Sequence, residues 1–247
     1  MRNIRLILEY DGTRYHGWQR QKNALTIQEV VETALAKLTG EPVRLLGSGR
    51  TDAGVHAWGQ VANFHTSSHI PLKAFYAGLN SFLPRDIVVL DAAEAPPDFH
   101  ARKSARSKTY EYRILNRTAP SPLNRRYSWV VHEPLNLAAM AQAAAVLPGE
   151  HDFSAFRASG GSPGHAIRKV SAAAWQQEEA GRLRFTITAN GFLRGMVRSL
   201  VGTMVDIGRD KRPPEDLAGL LLSGERTAAG PTAPAQGLFL VEVVYWG

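Results

Sequence analysis

The sequence contains no cysteine, and this absence removes several kinds of chemistry at once. Disulfides, thiolate nucleophiles, iron–sulfur clusters and cysteine-ligated zinc all require that side chain. No segment approaches the ~20 consecutive apolar residues of a membrane span. Arg5 and Glu9 interrupt the apolar residues of the N-terminal segment, unlike the core of a secretion signal. We therefore expect a soluble, cytoplasmic protein without a membrane partner, in which any covalent catalyst is an oxygen or nitrogen atom.

The sequence has fewer acidic than basic residues: 22 Asp and Glu and 29 Lys and Arg give a formal net charge of +7. The segment from residue 100 to residue 126 holds eight of these basic residues and a single acid, Glu111. A basic excess of this kind favours a polyanionic partner such as nucleic acid. A soluble protein with an ordinary basic surface would have the same balance, so charge alone does not assign RNA binding.

Hydrophobic periodicity in the first half predicts the element order β-α-β-β-α-β. Apolar residues alternate from Asn3 to Tyr10, as in a half-buried strand. Thr26 and Glu29 form a T-x-x-E capping box for a helix that ends at Gly40. The remaining predictions are strands at Val43–Leu46, Gln60–His65 and Ile87–Leu90 and a helix at Leu72–Phe82.

The second half predicts the same order without repeating the residues. Its elements are strands at Lys108–Leu115, Ile167–Gln176, Arg182–Thr188 and Leu238–Tyr245 and helices at Leu137–Leu147 and Gly195–Ile207. The sequence therefore predicts an α/β fold of two ferredoxin-like halves related by pseudo-symmetry, with sheets flanked by helices. Pro96-Pro97 interrupts regular structure, and we predict domains at 1–104 and 105–247. Glycine- and proline-rich segments at Ser159–His165 and Thr227–Gly237 are predicted functional loops.

The densest candidate for chemistry is the segment Gly47–Phe64, in which three glycines surround Asp52. Glycines permit a sharp turn that presents a carboxylate at a cleft. A guanidinium from Arg50 close to Asp52 would favour the ionised carboxylate, a competent nucleophile or base. The alternative is an ordinary aspartate that accepts a hydrogen bond from its own turn.

Metal binding and serine catalysis are the other chemistries to consider in and near this segment. Histidines at 56, 65 and 69 could bind a metal together with Asp52, but their spacing matches no compact metal motif. Ser48 lies in G-S-G and lacks the strand-to-helix context of a hydrolase nucleophile. We therefore expect neither a metal nor a serine nucleophile.

Tyr110 and Arg198 are the strongest candidates outside that segment. Tyr110 shares a strand face with Tyr112 and Ile114 and has basic neighbours, which suits a base stacked on its ring near phosphates. A pair of core tyrosines would show the same pattern. Arg198 lies between core positions of a predicted helix, where a guanidinium needs a compensating anion such as Asp52 or a phosphate.

Six motifs in order make the chain resemble the tRNA pseudouridine synthase A family. They are GRTDAGVHA at Gly49–Ala57, PDFHAR at Pro97–Arg102, KTYEYRI at Lys108–Ile114, HDFSAF at His151–Phe156, FLRGMVR at Phe192–Arg198 and AGPTAPAQGL at Ala229–Leu238. The resemblance implies a dimeric two-domain α/β enzyme whose basic catalytic cleft between the halves holds the anticodon stem-loop. It implies modification of uridines at tRNA positions 38, 39 and 40.

Residue by residue, the resemblance makes Asp52 the catalytic aspartate and Tyr110 the tyrosine that stacks on the target base. It makes Arg198 the basic partner of the aspartate. It makes Arg50 the arginine that fills the place of the flipped-out nucleotide and holds its backbone. Ser48, Trp58 and Lys103 depart from the family pattern and put only fine substrate preference in doubt.

The reaction moves the sugar–base bond from N1 to C5 without net redox change, so no cofactor is expected. The base must leave its stack, which costs a few kcal/mol. Asp52 could attack the base ring, attack the sugar C1′ or remove a sugar proton, and the sequence leaves these routes open. A non-catalytic RNA-binding protein of the same fold is the alternative function. The sequence disfavours an RNA C5-methyltransferase, because it has neither a cysteine nucleophile nor a glycine-rich cofactor loop.

Overall fold

The computed structural model describes residues 1–158 and 165–245, which form a mixed α/β fold. By their own contacts, Met1–Arg106 and the chain from Phe239 onward form one compact unit, and Ser107–Leu238 form a second. The predicted α/β class is confirmed. No helix in the described ranges is long and apolar enough to cross a membrane.

Ten strands and five α-helices are present in the described part of the chain. The strands are β1 (Arg2–Tyr10), β2 (Leu46–Gly47), β3 (His56–Thr66), β4 (Ile87–Glu94), β5 (Ser107–Asn116), β6 (Trp129–Val131), β7 (Gly149–Asp152), β8 (Ile167–Gln177), β9 (Arg182–Ala189) and β10 (Leu238–Val244). The helices are α1 (Ile27–Thr39), α2 (Leu79–Phe82), α3 (Leu137–Ala144), α4 (Met196–Gly208) and α5 (Asp216–Ser223). A π-helical turn, Ala74–Gly78, leads into α2.

The first unit is built on an antiparallel sheet with β1 between β4 and β3. β2 and β10 both pair with β3, and β10 runs parallel to it. Ile4, Leu6 and Leu8 of β1 are fully buried because alternate residues of a strand share one face. The predicted capping box is present, since the Thr26 hydroxyl accepts from the Glu29 amide and Gly40 ends α1 in the left-handed conformation.

The second unit contains a sheet in which β5 pairs with β6 and β9, β9 with β8, and β8 with β7. Phe185 and Ile187 of β9 are fully buried, as are Leu200 and Val201 of α4. The Trp175 indole on β8 donates to the Met204 sulfur on α4, 3.2 Å away. α4 therefore covers the apolar face of this sheet.

The elements with the clearest periodicity lie where the sequence predicts them: β1, α1, α4 and the β8–β9 hairpin. The strand predicted at Val43–Leu46 is almost absent, because only Leu46 and Gly47 pair, opposite β3. β6, β7 and α5 were not predicted, since short elements leave too few residues for a period to show. The pseudo-symmetry and the domain boundary after residue 104 stay predictions. The loop predicted at Ser159–His165 lies, apart from His165, outside the described residues.

Candidate active site

Asp52 lies half-buried in the loop between β2 and β3, beside the buried Thr51. Backbone hydrogen bonds from the segment between β1 and α1 hold this loop. The Trp18 amide donates to the Thr51 carbonyl at 3.0 Å, and the Gly54 amide donates to the Tyr15 carbonyl at 3.2 Å. The carboxylate therefore stands on a backbone fixed on both sides of its own residue.

Glycine at position 17 makes this close approach possible. Gly17 has φ of +86°, and a Cβ there would lie 2.4 Å from the Thr51 carbonyl oxygen and 3.0 Å from the Asp52 carbonyl carbon. Gly12 packs in the same way, with a would-be Cβ 2.0 Å from the Val55 carbonyl oxygen. The segment from Gly12 to Trp18 lies directly against the loop, so its shape sets the position of Asp52.

Buried polar side chains complete the support under the loop. The Tyr10 hydroxyl and the Thr51 hydroxyl lie 2.8 Å apart, and burial raises the pKa of the Tyr10 phenol. The Ser48 hydroxyl donates to Gln60 Oε1 at 2.6 Å, while Gln60 Nε2 donates to the Gly49 carbonyl at 3.0 Å. Ser48 and Gln60 are both fully buried. Ser48 is therefore a structural hydroxyl and does not face a substrate.

His56 is a packing residue of the first unit. Its ring stacks on Phe239 with centroids 4.7 Å apart, and its side chain is 2% exposed. The Gly12 amide donates to His56 Nδ1 at 3.1 Å, and Asp11 Oδ1 lies 3.2 Å from the same nitrogen. In the described part of the chain no group of three or more His, Cys, Asp or Glu is arranged to hold a metal ion.

Arg50 is exposed at the other side of Thr51. The exposed guanidinium is available to a ligand. Together Asp52 and Arg50 present an acid and a cation on one braced loop, an arrangement that can serve as nucleophile or base beside an anion contact.

The two tyrosines of β5 differ in environment. Tyr112 is fully buried, its hydroxyl donates to the Pro234 carbonyl at 2.7 Å, and burial raises its pKa. Tyr110 is 8% exposed, and its ring meets Phe192 edge to face, with centroids 4.9 Å apart and planes at 79°. Both tyrosines are therefore buried, and Tyr110 retains a small exposed fraction that Tyr112 lacks.

Arg198 lies in the first turn of α4 and is tied to the loop Thr227–Gly237. Its Nε donates to the Ala233 carbonyl at 2.7 Å, and the Ala233 amide donates to the Arg198 carbonyl at 3.0 Å. A Cβ on Gly202, one turn further, would lie 1.7 Å from the Pro231 carbonyl oxygen. The Nε of Arg198 is thus bound to a backbone carbonyl. These contacts hold the predicted functional loop against α4.

The supporting segment from Asp11 to Trp18 is the part of the site that sequence reasoning missed. It has no helical or strand period, and only a 3₁₀ turn at Gly12–Arg14 is regular. A usable signal was nonetheless present, because two glycines and two large aromatic residues follow a strand within eight residues. Glycine beside bulky side chains in an irregular segment is typical of close backbone packing.

A family model and curated sequence relatives point to one family. A family model described as tRNA pseudouridine synthase matches residues 6–102 and 143–246. A curated protein named tRNA pseudouridine synthase A from Syntrophotalea carbinolica is 52% identical over 242 residues, covering 98% of this chain and 96% of its own. One of the same name from Thermoanaerobacter sp. is 49% identical over 245 residues, covering 99% of this chain and 100% of its own.

A likeness to one chain of the solved structure "Crystal Structure of a Cbf5-Nop10-Gar1 Complex" is weak, with a TM-score of 0.36 and 12% identity over 82% of this chain and 45% of that one. The sequence relatives, in contrast, match almost from end to end, including the loop of Asp52 and the start of α4. This chain belongs to the tRNA pseudouridine synthase family.

Proposed function

We propose that this protein isomerises uridine to pseudouridine in tRNA, with the Asp52 carboxylate as covalent catalyst. The observation that carries the proposal is the loop of Asp52, in which a half-buried carboxylate stands on a backbone held by Trp18, Tyr15 and Gly17. Reactions that depend on the approach of one atom to another gain most from such fixed geometry. Membership of the family supports the same activity.

The isomerisation requires no oxidant, reductant or donor of a transferred group. The bond from C1′ to N1 breaks, a bond from C1′ to C5 forms, the proton on C5 is lost and N1 gains a proton. Electrons and atoms balance without an oxidant or a donor group, so the proposal includes no cofactor. A carboxylate can hold the substrate covalently while the base turns and can leave again as the new bond forms.

Three further residues are proposed to bind the target nucleotide. Arg50 is exposed beside Asp52 and suits a contact to the RNA backbone. Tyr110 offers an aromatic ring, held edge-on by Phe192, on which a base can stack. Arg198 is oriented by its bond to Ala233 and contributes a positive charge near the substrate.

The finer substrate assignment rests on the resemblance to the family. It is the anticodon stem-loop, with uridines at positions 38, 39 and 40 as targets, acted on by a cytoplasmic homodimer. The net charge of +7 supports a polyanionic substrate. Transcripts that carry uridine at only one of the three positions test the assignment, and sedimentation velocity tests the dimer.

The decisive experiment follows tritium release from tRNA labelled at uridine C5, without added cofactor or metal. Wild-type protein is expected to release tritium, whereas Asp52→Ala and the isosteric Asp52→Asn are expected to lose at least about 10³-fold in rate, because both remove the nucleophilic charge. Asp91→Asn is a matched control, since Asp91 is an exposed carboxylate paired with Arg5 on the sheet edge. It should release tritium at the wild-type rate.

Each result discriminates between functions. Wild-type protein that binds tRNA and releases no tritium would support the RNA-binding alternative instead. Full activity in Asp52→Asn would reject Asp52 as the covalent catalyst while leaving the isomerase activity in place.

A further inference from the structure

Arg168, at the start of β8, is an arginine whose only hydrogen bonds within the described residues are made by Nη1. That nitrogen donates to the His165 and Ile167 carbonyl oxygens, both at 2.7 Å. Two bonds to backbone fix the plane of the guanidinium. Nε and Nη2 form no hydrogen bond within the described residues, so their protons are available to a ligand.

No carboxylate among the described residues pairs with this cation. Burial lowers the pKa of Arg168, and no neighbouring acid acts in the opposite direction. Of the two acids on the adjacent strand β7, Glu150 lies opposite Lys169, and Asp152 lies opposite Ile167 and accepts from the Ser154 amide at 2.7 Å. A half-buried guanidinium without an anion is costly to keep, unless a ligand supplies the anion.

The free edge of Arg168 has the geometry of an oxyanion contact. Nε–H and Nη2–H of a guanidinium are parallel donors that match two oxygens of a phosphate. Gly191 lies beside this edge, and a Cβ built on it would stand 3.5 Å from Arg168 Nε. Because glycine leaves that space open, an oxyanion can reach the nitrogen.

The position within the second unit indicates which phosphate is involved. Gly191 is followed directly by Phe192, whose ring packs against Tyr110 with centroids 4.9 Å apart. Arg168 is thus connected to the proposed base-stacking ring through two consecutive residues. We propose that Arg168 binds a backbone phosphate of the tRNA strand next to the target nucleotide. This inference rests on the proposed function and adds a substrate contact to it.

The salt dependence of tRNA binding tests the proposal. Each phosphate contact contributes about 0.7 to 0.9 to the slope of log affinity against log salt concentration. Arg168→Gln is therefore expected to reduce the slope by about that amount and to weaken binding by about tenfold. Arg182→Gln is the matched control, because Arg182 is exposed at the start of β9 and loses the same charge. Its affinity should stay within about twofold of wild type, since a solvated surface charge contributes little.

A second variant keeps the arginine and its carbonyl bonds. Gly191→Ala adds a methyl group at ordinary contact distance from Nε and covers part of the free edge. It is expected to weaken tRNA binding several-fold, while the midpoint of urea unfolding stays near that of wild type.

The outcomes separate binding from structure. A folded Arg168→Gln protein with wild-type slope and affinity would overturn the proposal. If Arg168→Gln unfolds and Gly191→Ala binds tRNA exactly as wild type does, Arg168 is only a structural clamp and the proposal is again overturned. A wild-type protein that binds no tRNA would instead contradict the proposed function, so the two failures are distinguishable.

Discussion

At the scale of single residues, the placement of Asp52 depends on two glycines that pack against its loop and have no Cβ atom. Gly17 leaves room for the Thr51 carbonyl, and Gly12 leaves room for the Val55 carbonyl. Both contacts are made by backbone, which cannot move aside as a flexible side chain can. The position of the loop backbone at Asp52 therefore depends on the absence of a Cβ atom at both glycines.

The Gly17→Ala variant tests this dependence, and Gly40→Ala is its control. Both glycines have positive φ, +86° and +75°, so alanine should cost each about 1–2 kcal/mol of stability. A Cβ at Gly40 meets nothing within 4 Å, whereas one at Gly17 would overlap the Thr51 carbonyl. We expect kcat for tritium release to fall about 100-fold in Gly17→Ala and to remain at the wild-type value in Gly40→Ala. Equal kcat values in the two variants would contradict a positioning role for Gly17.

At the scale of elements, α4 is both a core helix and the platform for a loop. Its apolar residues pack on the sheet of the second unit, while Arg198, Gly202 and Thr203 contact the loop Thr227–Gly237. The Gly230 amide donates to the Thr203 hydroxyl at 3.0 Å. The irregular loop therefore takes its shape from a regular element, which explains how a glycine- and proline-rich segment is held in place.

Two glycines within helices should respond oppositely to alanine. Gly219→Ala in α5 meets no atom within 4 Å and should raise the free energy of unfolding by about 0.8–1 kcal/mol through helix propensity. Gly202→Ala in α4 would place its Cβ 1.7 Å from the Pro231 carbonyl oxygen, and overlap of this kind costs about 1–3 kcal/mol or more. Urea unfolding measures both. A Gly202→Ala protein as stable as wild type would show that the loop is not docked on the helix.

At the scale of the whole molecule, the stability of the chain should depend on pH through Glu41. Its carboxylate accepts hydrogen bonds from the Ser67 hydroxyl at 2.6 Å, the Thr66 hydroxyl and the Ser67 amide, and these bonds lower the Glu41 pKa. They connect the end of α1 to the end of β3. Because the folded pKa lies below the unfolded value, this stabilisation is fully present above the unfolded pKa and is lost as pH falls through the folded pKa.

Glu41→Gln should therefore lower the free energy of unfolding at pH 7 and have a progressively smaller effect below the ordinary glutamate pKa of about 4.3. Urea titrations of both proteins at pH 7 and at pH 4 or below measure the difference. Glu179→Gln, at an exposed turn between β8 and β9, is a control for the charge change. A Glu41→Gln effect of the same size at every pH would contradict the assignment to these hydrogen bonds.

Local sequence signals were sufficient for much of the fold and for the identity of the candidate residues. The alternation in β1, the capping box of α1 and the apolar stripe of α4 each depend on neighbours a few residues apart, so periodicity reveals them. The same holds for Asp52 among its glycines and for the motifs that carry the family resemblance. Composition favoured a polyanionic partner without assigning it, because net charge is a sum over residues.

Contacts between residues far apart in the sequence are determined only by the tertiary structure. Tyr112 contacts Pro234 and Tyr110 contacts Phe192, and both of these residues lie more than 80 residues further along the chain. Arg198 Nε donates to the carbonyl of Ala233, 35 residues further along the chain, and no local pattern shows this contact. Gly12 and Gly17 lie in a segment without a helical or strand period, and the sequence does not show which carbonyls lie against them. Sequence patterns report which residues share a face, whereas the atoms that meet across that face are determined by tertiary packing.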